Sequence, residues 1–329
     1  MKDWFRDFLE DSNFIVLDIE LLEDLFYEHP LFDADFYVKK GKKFIFYRKR
    51  EIPLTRERIK AWKDMGVKKV YLKVESYDFY PRYLRDRLNE VLRDPSFRLE
   101  KKAKVLYFVS ESLLERAFRR PSPRVTKELQ MFVKDTISYL SEKPDLYREF
   151  MKLMEHDFGT YLHSNNVFFL FASFLLHLGE DKQEVERSAF GALLHDIGKE
   201  KICREILTKP GPLEPWEWEE VRKHPLWGVR ILKDVGVEDE EVLALILEHH
   251  ECPDGSGYPR GLKGEEIKRT SHVLRVCDVF EALCGIRPYR PPFPPSRALE
   301  IMRLEMAGKL HEEVLSQFEE FLGRKAEGG

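Results

Sequence analysis

The 329-residue chain is poor in side-chain amides, with four Asn and three Gln, although charged residues reach 35%. The average charged share is about 25%, and many Lys, Glu and Arg beside few Asn and Gln is the composition of a heat-adapted protein. Cysteine is scarce as well. Cys203, Cys252, Cys277 and Cys284 form no CxxC pair, which argues against a disulfide framework and for reduced thiols in a cytoplasm. There is no basic excess: 55 Lys and Arg stand against 59 Asp and Glu, for a net charge of −4. A nucleic-acid polymer is therefore not an expected partner, and any anionic ligand must be held by a local site. No long apolar run exists either. The longest, "VFFLFASFLLHLG" at 167–179, is too short and too interrupted to span a bilayer. The opening "MKDWFRDFLEDSNF" carries acids where a signal peptide would carry apolar residues, so a cytoplasmic protein is expected.

What is present divides by pattern. The length suits two domains, and 43% hydrophobic with 13% aromatic residues can build cores. "FIVLDIELL" at 14–22 reads as a strand, and the aromatic and β-branched runs on either side of Gly41 read as a hairpin. A short helix from Thr55 as N-cap to Gly66 and a strand "VKKVYLKV" complete a ββαβ module within 1–75. Leu84, Leu88, Val91 and Leu92, then Ala103, Val105, Leu106, Val109 and Leu113, recur at helical spacing. "RRPSPR" at 119–124 is the expected linker. Beyond 125 strand signals stop. Helices are expected at about 125–141, 145–157, 160–179, 183–197, 215–235, 239–250, 264–286, 296–307 and 311–323. The fold class is α+β overall: a small mixed α/β domain with a helical connector over 1–120, then an all-α helical bundle over 125–329. The apolar stripe of 98–140 is a candidate homodimer surface.

Five of the ten histidines and two aspartates stand in ligand-like contexts: His163, His195, Asp196, His224, His249, His250 and Asp278. They fall on different helices, and a bundle can aim such side chains at one point. Adjacent residues on a helix diverge by about 100°, so the neighbouring pairs 195/196 and 249/250 suit a site with two ions, Asp196 bridging through its two oxygens. An isolated His-Asp pair is more often a surface pair than a ligand. Seven such groups ending apolar helices are not.

From about 145 to 323 the chain resembles the HD-GYP family of HD-domain metal-dependent phosphohydrolases. The matching stretches are "YLHSNNV" at 161–167, "ALLHDIGKEKICREILTKPGPL" at 192–213, "HPLWGVRIL" at 224–232, "HHECPDGSGYPRGLKGEEI" at 249–267 and "VCDVFEALCGIRPYR" at 276–290. The resemblance implies an HD-type bundle that hydrolyses cyclic di-GMP to pGpG and on to GMP, through attack on phosphorus by a hydroxide between two metals. The family's ligands fall on the seven residues above, none missing. Members with three metals resemble one another in a glutamate one turn before the first histidine. Here that position is Gly159, with Glu155 and Asp157 out of register, so two ions are expected. Mixed His and carboxylate ligands suit iron or manganese, then zinc or nickel.

Asp196 and Lys199 are the expected catalytic residues, with Lys199, one turn beyond His195, reaching a phosphate oxygen. Arg287 and Arg290, at the end of the helix carrying Asp278, match basic residues that contact phosphates in the family. Gly255 and Gly257 permit unusual backbone angles or close approach, and Tyr258 can stack on a guanine. The proton donor to the leaving oxygen stays open among a metal-bound water, Lys199 and His250. Other substrates are cyclic GMP-AMP and linear pGpG. A different role is a regulatory module that docks a diguanylate cyclase through the GYP loop. Cys277, Trp216, Trp218 and Trp227 read as packing residues, and His177 as a packed or partly exposed histidine. The N-terminal module reads as sensory or regulatory from its position alone.

Overall fold

A computed structural model describes residues 14–19, 35–40, 43–49, 55–73, 88–95, 97–154, 160–209, 211–285 and 291–323. The chain divides into two compact units, Met1–Phe97 and Arg98–Gly329.

In the first unit, strands β1 (Phe14–Asp18), β2 (Phe36–Lys40), β3 (Lys43–Arg48) and β4 (Lys69–Lys73) form one sheet in the order β1-β4-β2-β3. All pairings are antiparallel. The expected hairpin is β2–β3, with Val38 opposite Ile45. Tyr71 of β4 lies opposite both Val16 and Tyr37, so β1 is part of the same sheet and the module is βββαβ, not ββαβ. Helix α1 (Arg56–Asp64) starts at Thr55, whose hydroxyl accepts from the Arg58 amide at 3.4 Å. It buries Trp62 against Phe36, ring centroids 5.7 Å apart.

The described residues of the second unit carry helices only: α2 (Leu99–Arg119), α3 (Pro123–Glu142), α4 (Leu146–Met154), α5 (Thr160–His177), α6 (Lys182–Leu194), α7 (Arg204–Leu207), α8 (Pro215–Val221), α9 (His224–Asp234), α10 (Glu240–Glu248), α11 (Arg269–Cys284), α12 (Pro295–Leu304) and α13 (Glu312–Gly323). The segment expected as a linker joins α2 to α3, which pack on each other. Ser122 caps α3 by accepting from the Val125 amide at 3.4 Å, and Pro123 takes the first turn, where no amide partner is needed. Helix α5 is the centre of the bundle. Val167, Phe168, Phe169, Phe171, Ala172 and Phe174 are fully buried, and a helix apolar on all sides needs neighbours on all sides. Helices α2, α3, α4, α6, α11 and α13 supply them. No helix among the described residues is long and apolar enough to cross a membrane.

Three expected helices are interrupted. The 183–197 helix ends at Leu194 and continues, after His195 and Asp196, as a 3-10 turn over Ile197–Lys201. The 215–235 helix splits into α8 and α9, because Pro225 lacks an amide proton and sits in the first turn of α9. The 264–286 helix begins only at Arg269, after a short 3-10 turn at Gly264–Glu266. The first two breaks fall on candidate ligands.

Candidate metal centre

The seven expected ligands come together. His163 lies in the first turn of α5, His195 caps the end of α6, His224 opens α9, His249 caps the end of α10 and Asp278 projects from α11. All are buried except His250, which is partly exposed. Two sets could each hold an ion: Asp196 with His224, His249 and His250, and Asp196 with His163 and His195. Asp196 belongs to both. Its Oδ1 is 3.3 Å from His224 Nε2 and 3.8 Å from His249 Nε2. Its Oδ2 is 3.5 Å from His195 Nε2 and 3.6 Å from His163 Nε2. Asp278 closes the cluster, with Oδ1 3.1 Å from His163 Nε2 and Oδ2 3.9 Å from His250 Nδ1. His249 and His250, expected to diverge, have ring centroids only 4.1 Å apart. Both stand just beyond the end of α10 at Glu248.

Glycine and helix ends set this geometry. A Cβ on Gly198 would stand 1.9 Å from the His224 carbonyl oxygen, so only glycine lets the turn after Asp196 meet the start of α9. The last carbonyls of a helix lack intrahelical partners. The Nδ1 atoms of His195, His224 and His249 stand 2.8, 2.7 and 2.7 Å from the carbonyls of Ala192, Val221 and Ile246. A carbonyl only accepts, so each Nδ1 carries the proton and each Nε2 presents a lone pair. The lone pairs of His224 and His249 face each other, Nε2 to Nε2 at 3.0 Å, and that of His195 faces His163 Nε2 at 3.3 Å. Asp196 Oδ1 is buried without a hydrogen-bond donor. Neutral imidazole nitrogens and a carboxylate oxygen left without a donor, aimed at common points, are what a divalent cation requires. The donor set therefore fits metal.

Protonation states agree. Burial pushes His195 down and His224 to about 4, and burial with neighbouring histidines holds His249 and His250 well below the usual range. Burial also disfavours charged His163, but Glu281 and Asp278 carry it up to about 9. Burial would raise Asp196 and Asp278. Lys199 and the histidines hold Asp196 low, and His163 does the same for Asp278. Near neutrality the cluster thus presents neutral imidazoles, apart from His163, and carboxylate anions, the forms that bind metal.

Lys199 lies in the 3-10 turn, where three residues, not four, bring it back to the HD pair. Its Nζ is 2.5 Å from Asp196 Oδ2. Gly159, Arg287 and Arg290 lie outside the described residues. The GYP loop wraps round two buried carboxylates. Glu251 accepts from the Arg260 and Leu262 amides at 2.7 and 2.9 Å. Glu248 accepts from Arg260 Nη2, the Lys268 amide and Ser271 Oγ at 2.6, 3.1 and 2.9 Å. Gly255 has φ +81, whereas Gly257 is needed for space, since a Cβ there would lie 2.4 Å from the Cys252 amide nitrogen. The Tyr258–Pro259 peptide is cis. The Tyr258 ring lies 4.7 Å from that of His250, and the Arg222 guanidinium stands 5.5 Å from its centroid. A cavity of about 600 Å³ opens here, lined by Trp218, Arg222, His250, Tyr258, Arg275 and Lys309 among others.

Sequence reasoning missed Arg275 and Glu281. They flank Asp278 by three residues on either side, one helical turn each way, which is the signal that could have found them. Arg275 Nη1 is 3.1 Å from His250 Nδ1, and Glu281 stands against His163 Nδ1. The tryptophan reading also changes. Trp216 and Trp218 are 61% and 48% exposed, so they are not packing residues; α8 is a short surface helix and Trp218 edges the cavity. Trp227 is half-buried under the Arg230 guanidinium. Cys277 is fully buried, and His177 lies 5.2 Å from the Phe321 ring.

The HD domain family model matches residues 150–314. The chain belongs to the HD-domain family. The complete Gly257-Tyr258-Pro259 loop, spaced from the HD pair as quoted above, puts it in the HD-GYP branch. Over 199 residues it is 35% identical to a cyclic di-GMP phosphodiesterase of Thermotoga maritima, covering 58% of this chain and 54% of that protein. A cyclic di-GMP phosphodiesterase of Pseudomonas aeruginosa is 34% identical, over 55% of this chain and 43% of its own length. A 3'3'-cGAMP-specific phosphodiesterase of Vibrio cholerae is 41% identical, over 34% of this chain and 24% of its own. The chain thus spans about half or less of these relatives. A solved HDG"Y"P protein from Bdellovibrio bacteriovorus shares the fold, with a TM-score of 0.71 at 19% identity over 94% of this chain and all of that one.

Proposed function

We propose that this HD-GYP protein is a phosphodiesterase of cyclic dinucleotides that uses two divalent metals, iron or manganese, and opens cyclic di-GMP to pGpG and then GMP. The observation that carries the reading is the buried double set of ligands sharing Asp196, with a cationic, aromatic-edged cavity at its side. Relatives named for cyclic di-GMP and for 3'3'-cGAMP support the substrate class. His163 and His195 would hold one ion, His224, His249 and His250 the other, and Asp196 both. Bound there, the two ions would supply Lewis acidity toward the phosphate and an activated water near neutral pH.

The chain's own residues do the rest. Lys199, at the rim of the centre on Asp196, brings a positive charge toward a non-bridging phosphate oxygen as negative charge builds. Arg222, Arg275 and Lys309 make the cavity attractive to an anion, and Tyr258 and Trp218 offer aromatic surface to a nucleobase. Purified protein loaded anaerobically with Fe(II) or Mn(II) should convert cyclic di-GMP to pGpG and GMP by chromatography. No product from cyclic di-GMP or 3'3'-cGAMP with any divalent metal would overturn the reading.

A further inference from the structure

His163 is held differently from the other histidines of the centre. His195, His224 and His249 find their Nδ1 partner in a carbonyl three residues back, freed by a helix end. His163 has no such local solution, because it stands in the first turn of α5, where the carbonyls are committed to the helix. Its Nδ1 faces the carboxylate of Glu281, brought in by α11 one turn after Asp278. Glu281 is 3% exposed. The carboxylate is itself positioned. Asn166, one turn after His163, donates to Glu281 Oε1 at 2.9 Å. The Tyr107 hydroxyl on α2 donates to Asn166 Oδ1 at 2.5 Å, and Asn165 Nδ2 donates to the Tyr107 carbonyl at 3.1 Å.

We propose that Glu281 is the positioning residue for His163, and that Asn166 and Tyr107 form a relay that fixes the Glu281 carboxylate from the first helix of the catalytic unit. A carboxylate accepts and cannot donate, so it keeps the proton on Nδ1 and turns Nε2 toward the centre. It also places a negative charge behind the ring, which strengthens Nε2 as a ligand. Carboxylate partners of this kind contribute about 10–100-fold to metal affinity. The effect belongs to the half of the centre built from His163, His195 and Asp196. The half around His224 and His249 relies on backbone carbonyls. The two ions should therefore differ in how they respond to a change at Glu281. This inference rests on the cluster being a metal centre and does not depend on which phosphodiester is cleaved.

The test is a metal titration of chelator-stripped full-length chain with Mn(II), followed by electron paramagnetic resonance, with histidine-selective 15N spectra reporting the His163 tautomer. Wild type should take up two equivalents. Glu281→Gln, which keeps size and a partner for Asn166, should weaken one equivalent about 10–100-fold, leave the other in place and shift the His163 tautomer signal. Tyr107→Phe should weaken the same equivalent a few-fold, and Glu281→Asp should recover part of the loss. Circular dichroism melts identify any variant that has simply unfolded; Tyr107→Phe, at the far end of the relay, then supplies the answer. Equal weakening of both equivalents, or no change in either, overturns the proposal, as does a wild-type chain that binds no metal. Two bound metals without hydrolysis of any cyclic dinucleotide would remove the functional reading and leave this one standing.

Discussion

The metal centre and the GYP loop are joined at His250 and built from the same kinds of residue, yet their polar groups are treated in opposite ways. In the loop, Glu248 and Glu251 are buried, and both find donors within the loop or on α11. A buried carboxylate with such partners holds a shape, since removing them strands a charge. In the centre, the His224 and His249 lone pairs face each other and Asp196 Oδ1 has no donor. That arrangement costs free energy unless something positive enters it. The loop is complete as folded, and the centre is complete only with cations. Adjacent residues thus divide between holding the fold and serving the chemistry.

The largest effect should come from the residue that both halves of the centre share. Asp196→Ala should abolish turnover and remove both metals, measured by product chromatography and metal analysis. Turnover surviving that change would break the bridging role. The next pair sets loop against centre. Glu251→Ala strands two backbone amides and should cost about 2–4 kcal/mol in denaturant melts, because hydrogen bonds to charged groups are worth about 1.5–3 kcal/mol each. His249→Asn in metal-stripped protein removes one of two opposed lone pairs and should leave stability unchanged or raised, as expected where a site gives up stability for function. If both variants destabilise alike, the contrast is wrong.

How much of this could be read from the sequence follows the same division. The seven convergent candidate ligands were legible because metal sites demand particular residue types, and because all but Asp278 stand at or near a helix end. The interruptions of α6 and α8–α9 were less legible, since helical periodicity runs straight through them. Pro225 was the available signal for the second, and the contact of Gly198 with the His224 carbonyl, which no local pattern encodes, accompanies the first. Glu281, Arg275 and the Tyr107–Asn166 contact were missed because their partners lie 25 to 118 residues away in the chain. In the N-terminal unit the hairpin and the Thr55 cap were readable. The place of β1 beside β4, a long-range pairing, was not.

Acidity gives the third test. Unfolded, His224 would take up a proton near its ordinary 6.5, whereas folded it waits until about 4. Between those values the unfolded chain binds more protons, so stability falls as pH drops, by about 3 kcal/mol at most from this residue. His163 works the other way. Its value of about 9 in the folded chain gives stability that is fully present below 6.5 and is lost as pH rises toward 9. These two residues should make metal-stripped protein lose stability on either side of pH 6.5 in urea melts, with His224→Asn reducing the slope of the acid limb, to which His195, His249 and His250 also contribute, and Glu281→Gln reducing that of the alkaline one. A profile flat from 4 to 9 would mean that the two histidines are not held as described.

The smallest effect tests the edge of the cavity, where neither loop nor centre decides the outcome. Trp218 is half-exposed and its removal should leave folding and metal uptake alone. If its ring meets a nucleobase, Trp218→Ala should raise KM several-fold, since base–aromatic stacking is worth about 1–3 kcal/mol per base. The kcat should hold, because such a contact is equal in ground and transition states. A lowered kcat at constant KM would place Trp218 in the chemistry instead, and would shift the boundary between the centre and its surroundings outward to α8.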